Sequence, residues 1–299
     1  MRGFTLDRIT YEDTKLNNTA VALGKFEGLH KGHMLLVNCV CQKSKELGLK
    51  GVVFTINMSQ DKVINLPCER RDILEKSGID VEVSCDFTPE FGSMSPKEFV
   101  EDILVKKLGA KLVVVGTDFR FGNKRAGDVA MLKSFGKDYG FEVIAFDKLM
   151  EEEDVISSTL IREMIEIGNV KKASNLMGRD YFVSGKVMKG RQLGRTIGFP
   201  TINIIPDNSK LIPAFGAYCT EVLVDNVFYK GITNVGVNPT IDADNNMTIE
   251  TYLLDFDNDI YDKKVVVFFK DYIRGEKRFN NIEELKVQLA CDKAFAMHQ

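Results

Sequence analysis

Apolar and polar positions follow one rhythm up to about residue 178 and another beyond it. In the first part, short apolar runs at 19–23, 51–56, 81–84, 112–115 and 141–146 read as strands. Between them, 34–47, 69–77, 96–107 and 129–139 have helical spacing, and two short helices are predicted at 158–167 and 170–177. The punctuation agrees: Gly48 and Gly78 close helices, Ser95 is an N-cap and Pro96 fills a first helical position. This alternation predicts an α/β doubly wound domain over residues 1–178.

Past Gly178-Arg179-Asp180-Tyr181 the runs are short and alternating, at 181–187, 197–204, 217–224, 228–233, 249–256 and 265–269. Turn residues separate them and no long helix intervenes before residue 280. That predicts an antiparallel β-barrel or sandwich over 179–299. A final helix is expected from Asn281, with Glu284 completing a capping-box-like pair and Ile282, Leu285 and Leu289 turned inward.

Composition narrows the class. The 299 residues are 44% hydrophobic and 28% charged, the balance of a soluble globular chain of two domains. No apolar run approaches the ~20 residues of a membrane span, and Asp7 comes too early for a signal peptide, so no membrane partner and a cytoplasmic location are expected. A net charge of −3 and a pI near 5.8 argue against nucleic acid as a partner. The six cysteines are scattered without a CxxC pair and read as reduced core thiols.

Three segments carry candidate chemistry in the first domain. Gly24-Lys25-Phe26-Glu27-Gly28-Leu29-His30-Lys31-Gly32-His33 joins the first strand to the first helix, where an open parallel sheet binds anions. His30 and His33 enter the helix on one side and can serve the same phosphate. A zinc half-site is the rival reading, but only His298 remains among the histidines and no Cys or carboxylate cluster completes it. Ile156-Ser157-Ser158-Thr159-Leu160-Ile161-Arg162 opens a late helix, with a routine serine cap and with Arg162 one turn on, placed to clamp a pyrophosphate. The loop Gly116-Thr117-Asp118-Phe119-Arg120-Phe121-Gly122-Asn123-Lys124-Arg125 follows an apolar strand directly, as a site loop should.

In the second domain, residues 185–195 combine Gly185, Lys186, Gly190 and Arg195 in a basic, glycine-rich loop that suits a polyphosphate, or a solvated hairpin. It leads into Gly198-Phe199-Pro200-Thr201-Ile202-Asn203. Thr201 and Asn203 share one strand face and offer hard oxygen ligands for Mg²⁺. Glu250 opens Glu250-Thr251-Tyr252-Leu253-Leu254-Asp255-Phe256; an exposed strand carboxylate is its plain reading.

These motifs, in this order, resemble the bacterial bifunctional riboflavin kinase/FAD synthetase family. Gly-x-Phe-(acid)-Gly-x-His-x-Gly-His, Gly-x-Asp-Phe-Arg-Phe-Gly and Ile-Ser-Ser-Thr-x-Ile-Arg look like its nucleotidyltransferase module. Gly-Phe-Pro-Thr-x-Asn, Asn-Val-Gly-Val-Asn-Pro-Thr and Ile-Arg-Gly-Glu-Lys-Arg-Phe look like its kinase module. The resemblance implies that Gly24, Phe26, Gly28, His30 and His33 bind ATP and that Ser157, Ser158, Thr159 and Arg162 hold its outer phosphates, with Asp118 near the adenosine or flavin. It likewise implies Mg²⁺-ATP on Thr201 and Asn203, with Gly185, Lys186, Gly190 and Arg195 beside it. Glu250 would be the general base, and Arg274 and Glu276 would lie at the flavin edge. The expected partners are riboflavin, FMN, FAD, ATP, ADP and pyrophosphate. Two positions depart from the family: Glu27 replaces Asp, and Thr55-Ile56-Asn57-Met58-Ser59-Gln60 lacks the aromatic and prolines of Thr-Phe-x-Pro-His-Pro. A kinase alone, a flavin or nucleotide sensor without turnover, and a nucleotidyltransferase whose barrel binds RNA are the competing readings.

Overall fold

Valine and alanine alternate through Thr19–Gly24, and that strand lies at the centre of the first sheet. The structure is a computed structural model and describes residues 6–188, 201–237, 247–256, 258–277 and 279–297. The chain divides into two units, Met1–Ser158 and Thr159–Gln299.

In the first unit the order is β1 (Asp7–Thr10), β2 (Thr19–Gly24), α1 (Lys31–Leu47), β3 (Lys50–Asn57), α2 (Pro67–Ser77) and β4 (Val81–Asp86). Two short helices follow, α3 (Pro89–Ser93) and α4 (Pro96–Glu98), the latter running into a π-helix, Phe99–Lys107. Then come β5 (Ala110–Gly116), α5 (Val129–Tyr139), β6 (Glu142–Phe146) and a hairpin of β7 (Met150–Glu151) and β8 (Asp154–Val155). The six parallel strands are ordered β1-β4-β3-β2-β5-β6. From β2 the chain winds one way through β3 and β4, then back to β5 and β6 on the other side. This is the expected doubly wound sheet, with its switch point between the ends of β2 and β5.

Side-chain alternation divides the core into two layers. Val21, Leu23, Val52, Phe54, Val83 and Val113 face the π-helix and α5. Ala20, Ala22, Val53, Leu112 and Val114 pack with Val37 and Val40 of α1 and with Leu74 of α2. Burying both faces is what a parallel sheet requires.

Three details differ from the sequence reading. The edge strand β1 is unannounced, because Asp-Arg-Ile-Thr is too short and too polar to stand out. The predicted helix 96–107 keeps its buried face, but Leu108 N–H donates to Ile103 C=O at 2.9 Å, five residues back rather than four. Only Cys41, Cys85 and Cys219 are buried, whereas Cys68 and Cys291 are exposed, so the core-thiol reading fails for those two. Burial pushes the Cys85 thiol up to about 12 and the Cys219 thiol up to about 11.

The boundary falls after the first residue of α6 (Ser158–Glu166), and α7 (Val170–Met177) follows in the second unit. Next come β9 (Tyr181–Met188), β10 (Thr201–Ile204), β11 (Gly216–Val224), β12 (Val227–Val237), β13 (Met247–Leu253), β14 (Lys264–Arg274) and α8 (Ile282–Met297). The strands close into an antiparallel barrel ordered β10-β13-β12-β11-β14-β9. Closure leaves no sheet edge to protect. Inside, Thr220, Thr233 and Thr251 form a chain of hydroxyls at 2.8 Å spacing. On β9, a Cβ at Gly185 would overlap the Ile204 side chain of β10, so the close strand crossing there admits only glycine.

Helix α8 begins as expected: Glu284 N–H donates to Asn281 Oδ1 at 2.9 Å and the Glu284 carboxylate accepts from Asn280 N–H at 3.0 Å. Its buried positions are Asp292 and Ala296. Ile282 is 53% exposed, which corrects its inward assignment, while Leu285 and Leu289 are half-buried. The barrel anchors the C-terminal turns of α8, over Cys219, Ile232 and Leu254, and its first turn projects beyond them.

Candidate active sites

The first site grows from the turn after β2. Phe26 and Leu29 are wholly buried, which pulls the turn into the core, and both take left-handed backbone, at φ +48° and +40°, beside Gly28 at +75°. L-residues adopt this conformation only where the surroundings hold it, and such positions cluster at ligand sites. With its ring in the core against Gly24, Phe26 has only its backbone to offer a ligand.

His30 is the N-cap of α1, and its Nδ1 accepts from His33 N–H at 3.3 Å. That bond makes Nδ1 the acceptor of a neutral ring and leaves the proton on Nε2. The two imidazoles stack with centroids 3.7 Å apart, and His33 also meets the Phe26 ring at 5.2 Å. A Cβ on Gly32 would sit 3.2 Å from the His30 ring, so glycine there leaves the imidazole room. The structure thus gathers two imidazoles and a helix N-terminus at the switch point of the sheet, an arrangement suited to anionic oxygens.

Ser158 Oγ donates to the Glu27 carbonyl at 2.8 Å, tying the serine segment to the glycine turn, with Ser157 half-buried beside it. At the end of β5, Asp118 folds over Gly116 and pairs with Lys148 at 3.0 Å, both well exposed. Thr159 is exposed at the start of α6, and Arg162 lies one turn on, in the second unit.

A groove of about 670 Å³ opens over the carboxyl ends of β1, β3 and β4. Lys25 and Glu27 of the glycine turn border it, as do Ile56, Asn57, Met58 and Gln60, and it reaches Pro67 and Arg70 of α2. Behind it lies a polar network that the sequence reading missed. Arg70 pairs with Glu82 at 2.7 Å, and Glu82 is wholly buried. The signal was Glu82 itself, a carboxylate between Val81 and Val83 in a strand that buries both faces. Thr55 Oγ1 and Glu82 Oε2 are buried atoms with no hydrogen-bond partner among the described residues.

In the second unit the barrel register builds a polar rung. Asn203 on β10 lies opposite Glu250 on β13, and Glu250 lies opposite Asn234 on β12. Their neighbours Thr251, Thr233 and Val235 are buried in the barrel, so alternation turns the rung to its outer face. Thr201 shares that face, opposite Tyr252. The Glu276 carboxylate reaches the same face, with Oε1 2.7 Å from where a Gly236 Cβ would stand. Asn203 is buried, and its Oδ1 has no hydrogen-bond partner among the described residues. A buried carbonyl-type oxygen without a donor can accept a hydrogen bond or ligate a hard cation, and the oxygens of Thr201 and Asn203 are of the kind that suits an ion such as Mg²⁺.

The other predicted residues of this unit are placed less directly. Arg274 donates through Nε and Nη2 to Asp292, at 2.8 Å for the shorter contact, and through Nη1 to Gly275 C=O. Lys186 pairs with Asp262 at 2.9 Å, and Gly185 has the packing role already described. Gly190 and Arg195 lie outside the described residues. Among the described residues no cluster of three or more His, Cys, Asp or Glu side chains is placed to hold a metal ion, and no helix is long and apolar enough to cross a membrane.

Comparison with known proteins gives matches along nearly the whole chain. The family model described as FAD synthetase matches residues 12–160, and the one described as riboflavin kinase matches 177–299. A bifunctional riboflavin kinase/FMN adenylyltransferase of Escherichia coli (strain K12) is 33% identical, the alignment covering 92% of this chain and 91% of that one. Its counterpart in Listeria monocytogenes is 34% identical over 95% and 93%. Among solved structures, a macrolide-efflux protein from Streptococcus pneumoniae superposes with a TM-score of 0.89, at 30% identity, over 98% of this chain and 100% of that one.

Proposed function

Because the chain belongs to the bifunctional riboflavin kinase/FMN adenylyltransferase family, we propose a division of labour in which residues 179–299 phosphorylate riboflavin to FMN and residues 1–178 adenylylate FMN to FAD. Both reactions consume ATP, the first yielding ADP and the second pyrophosphate. The kinase-only alternative gives way because the FAD synthetase match spans residues 12–160.

For the kinase, the carrying observation is the rung that pairs Asn203 with Glu250. The nucleophile is the ribityl hydroxyl, which is neutral and gains from a positioned base; Glu250 takes its proton as the hydroxyl oxygen attacks the γ-phosphate. Thr201 and Asn203 hold Mg²⁺, which when bound neutralises charge on the ATP phosphates. Lys186, Gly190 and Arg195 cradle the polyphosphate, and Glu276 and Arg274 border the flavin.

In adenylylation the nucleophile is the FMN phosphate, already anionic, so no general base is required. It attacks the α-phosphate of ATP as the bond to the departing pyrophosphate breaks. His30 and His33 donate to the oxygens that gain charge, and Ser157, Ser158, Thr159 and Arg162 hold the leaving pyrophosphate. Gly24, Phe26 and Gly28 supply close backbone approach, Asp118 flanks the adenosine or flavin, and the groove beside Lys25 receives the flavin. On this reading the enzyme is cytoplasmic and its partners are small molecules, with no nucleic acid or membrane among them; the acidic balance of the chain supports the absence of nucleic acid.

The test is to incubate the purified chain with riboflavin, ATP and Mg²⁺ and separate the flavins chromatographically. Successive appearance of FMN and FAD is the expected result. Accumulation of FMN without FAD would remove the second activity.

A further inference from the structure

The groove at the ends of β1, β3 and β4 has no aromatic ring among its described lining residues. A flat heterocycle entering it is flanked by Ile56, Met58 and Val63 and must be recognised through its polar edge. Arg70 stands at that edge in an unusually fixed pose. Its Nε donates to Glu82 Oε1 at 2.7 Å, and its Nη2 donates to Asn57 Oδ1 at 3.2 Å. Asn57 is held in turn, its Nδ2 donating to Ser84 Oγ at 2.8 Å and to Asp86 Oδ1 at 2.9 Å. Arg70 is buried yet lines the groove, and Nη1 is the nitrogen these two bonds leave for a groove ligand.

Burying a carboxylate inside a parallel sheet is costly, and Glu82 keeps one oxygen unbonded there. An apolar pair would pack the same space at no such cost, so what the pair supplies is orientation: a rigid planar donor beside an exposed acceptor, Asp86. A carbonyl next to a ring N–H is the complement of that donor–acceptor couple, and the pyrimidinedione end of a flavin presents this pattern. We infer that Arg70, positioned by Glu82 and Asn57, is the specificity-determining residue for the acceptor in adenylyl transfer, donating to a ring carbonyl of the flavin while Asp86 accepts from the adjacent ring N–H. This rests on the adenylyl-transfer reading of the first unit.

The test uses the full chain and four proteins: the parent, Arg70→Gln, Arg70→Lys and Glu82→Gln. FAD formation is measured against FMN and against ATP, and each protein is also offered an FMN analogue in which a ring carbonyl oxygen is replaced by sulfur, a poor acceptor. The parent should prefer FMN to the thio analogue by roughly tenfold or more, the range of a charged hydrogen bond. Arg70→Gln should raise the KM for FMN by roughly 10- to 100-fold, leave the ATP KM within about twofold, and accept both flavins equally. Glu82→Gln should fall between, and Arg70→Lys should recover part of the affinity without the discrimination. Riboflavin phosphorylation and the melting curve of each protein report folding. Folded variants with an unchanged FMN KM, or with FMN and ATP affected alike, overturn the inference. FMN titration followed by flavin fluorescence separates this failure from that of the wider reading. If the parent makes no FAD but loses one class of FMN site on Arg70→Gln, adenylyl transfer is wrong and the recognition role stands. If no FMN site depends on Arg70, the role falls with it.

Discussion

Asn203 and Glu250 stand directly opposite each other on neighbouring antiparallel strands, so one barrel rung carries both the proposed cation ligand and the proposed base. Side chains so paired lie ~5 Å apart at Cβ, and a change in one is felt by the other. Glu250→Gln should cut FMN formation from riboflavin by roughly 10²–10⁴, the usual loss with a general base, while FMN-to-FAD conversion continues. Asn203→Ala should instead raise the Mg²⁺ concentration needed for half-maximal kinase rate. Parental FMN formation by the Glu250 variant would remove it from the mechanism.

His33→Ala should act on the other reaction. Losing a charge-stabilising donor slows a reaction by roughly 10²–10³, and here the loss should appear in adenylylation while riboflavin phosphorylation persists. Separate assays of the two steps on one preparation decide it, since equal damage to both would point to misfolding.

Asp292→Asn should destabilise the second unit. Asp292 is 1% exposed and accepts from Arg274 and from Gln288, so the variant leaves a partly buried guanidinium without its counter-charge. Breaking such a pair costs on the order of 3 kcal/mol, which thermal melting would register. A melting curve identical to the parent's would mean that solvent takes over the pairing.

Thiol chemistry gives a prediction free of any assay for turnover. Cys68 and Cys291 are exposed and should react promptly with a disulfide reagent near pH 8, whereas Cys85 and Cys219 should react only on unfolding. The same burial fixes a pH trend. Unfolded thiols ionise near 9, while the native ones hold their protons to about 12 and about 11. The stability this contributes is complete below pH 9 and is lost as pH rises through 11–12. Unfolding midpoints measured from pH 8 to 11 should therefore fall, and more gently in Cys85→Ala once its neutral-pH midpoint is subtracted.

The doubly wound order, the barrel and the histidine turn were legible because each rests on local pattern: alternation, helical spacing and glycine punctuation. The Arg70–Glu82 pair was not, since the two residues belong to different elements and meet only when α2 packs on β4. The Asn203–Glu250 rung was half legible. Each residue was singled out by itself, but register between strands 47 residues apart is a property of barrel closure. Ile282 misled because helical spacing states which residues share a face and not how far the supporting surface extends beneath them. The thiols at Cys68 and Cys291 misled for a related reason: cysteine is usually buried, but whether a given helix face is covered is decided elsewhere in the chain.

Gly185 and Ile204 occupy one volume between two strands, so neither position is free to vary alone. In a saturation library, substitutions at Gly185 should survive chiefly in clones that also carry alanine or glycine at 204. Changes at 204 to a smaller residue should in turn open a void that a larger residue at 185 fills. The two positions would then behave as one heritable locus.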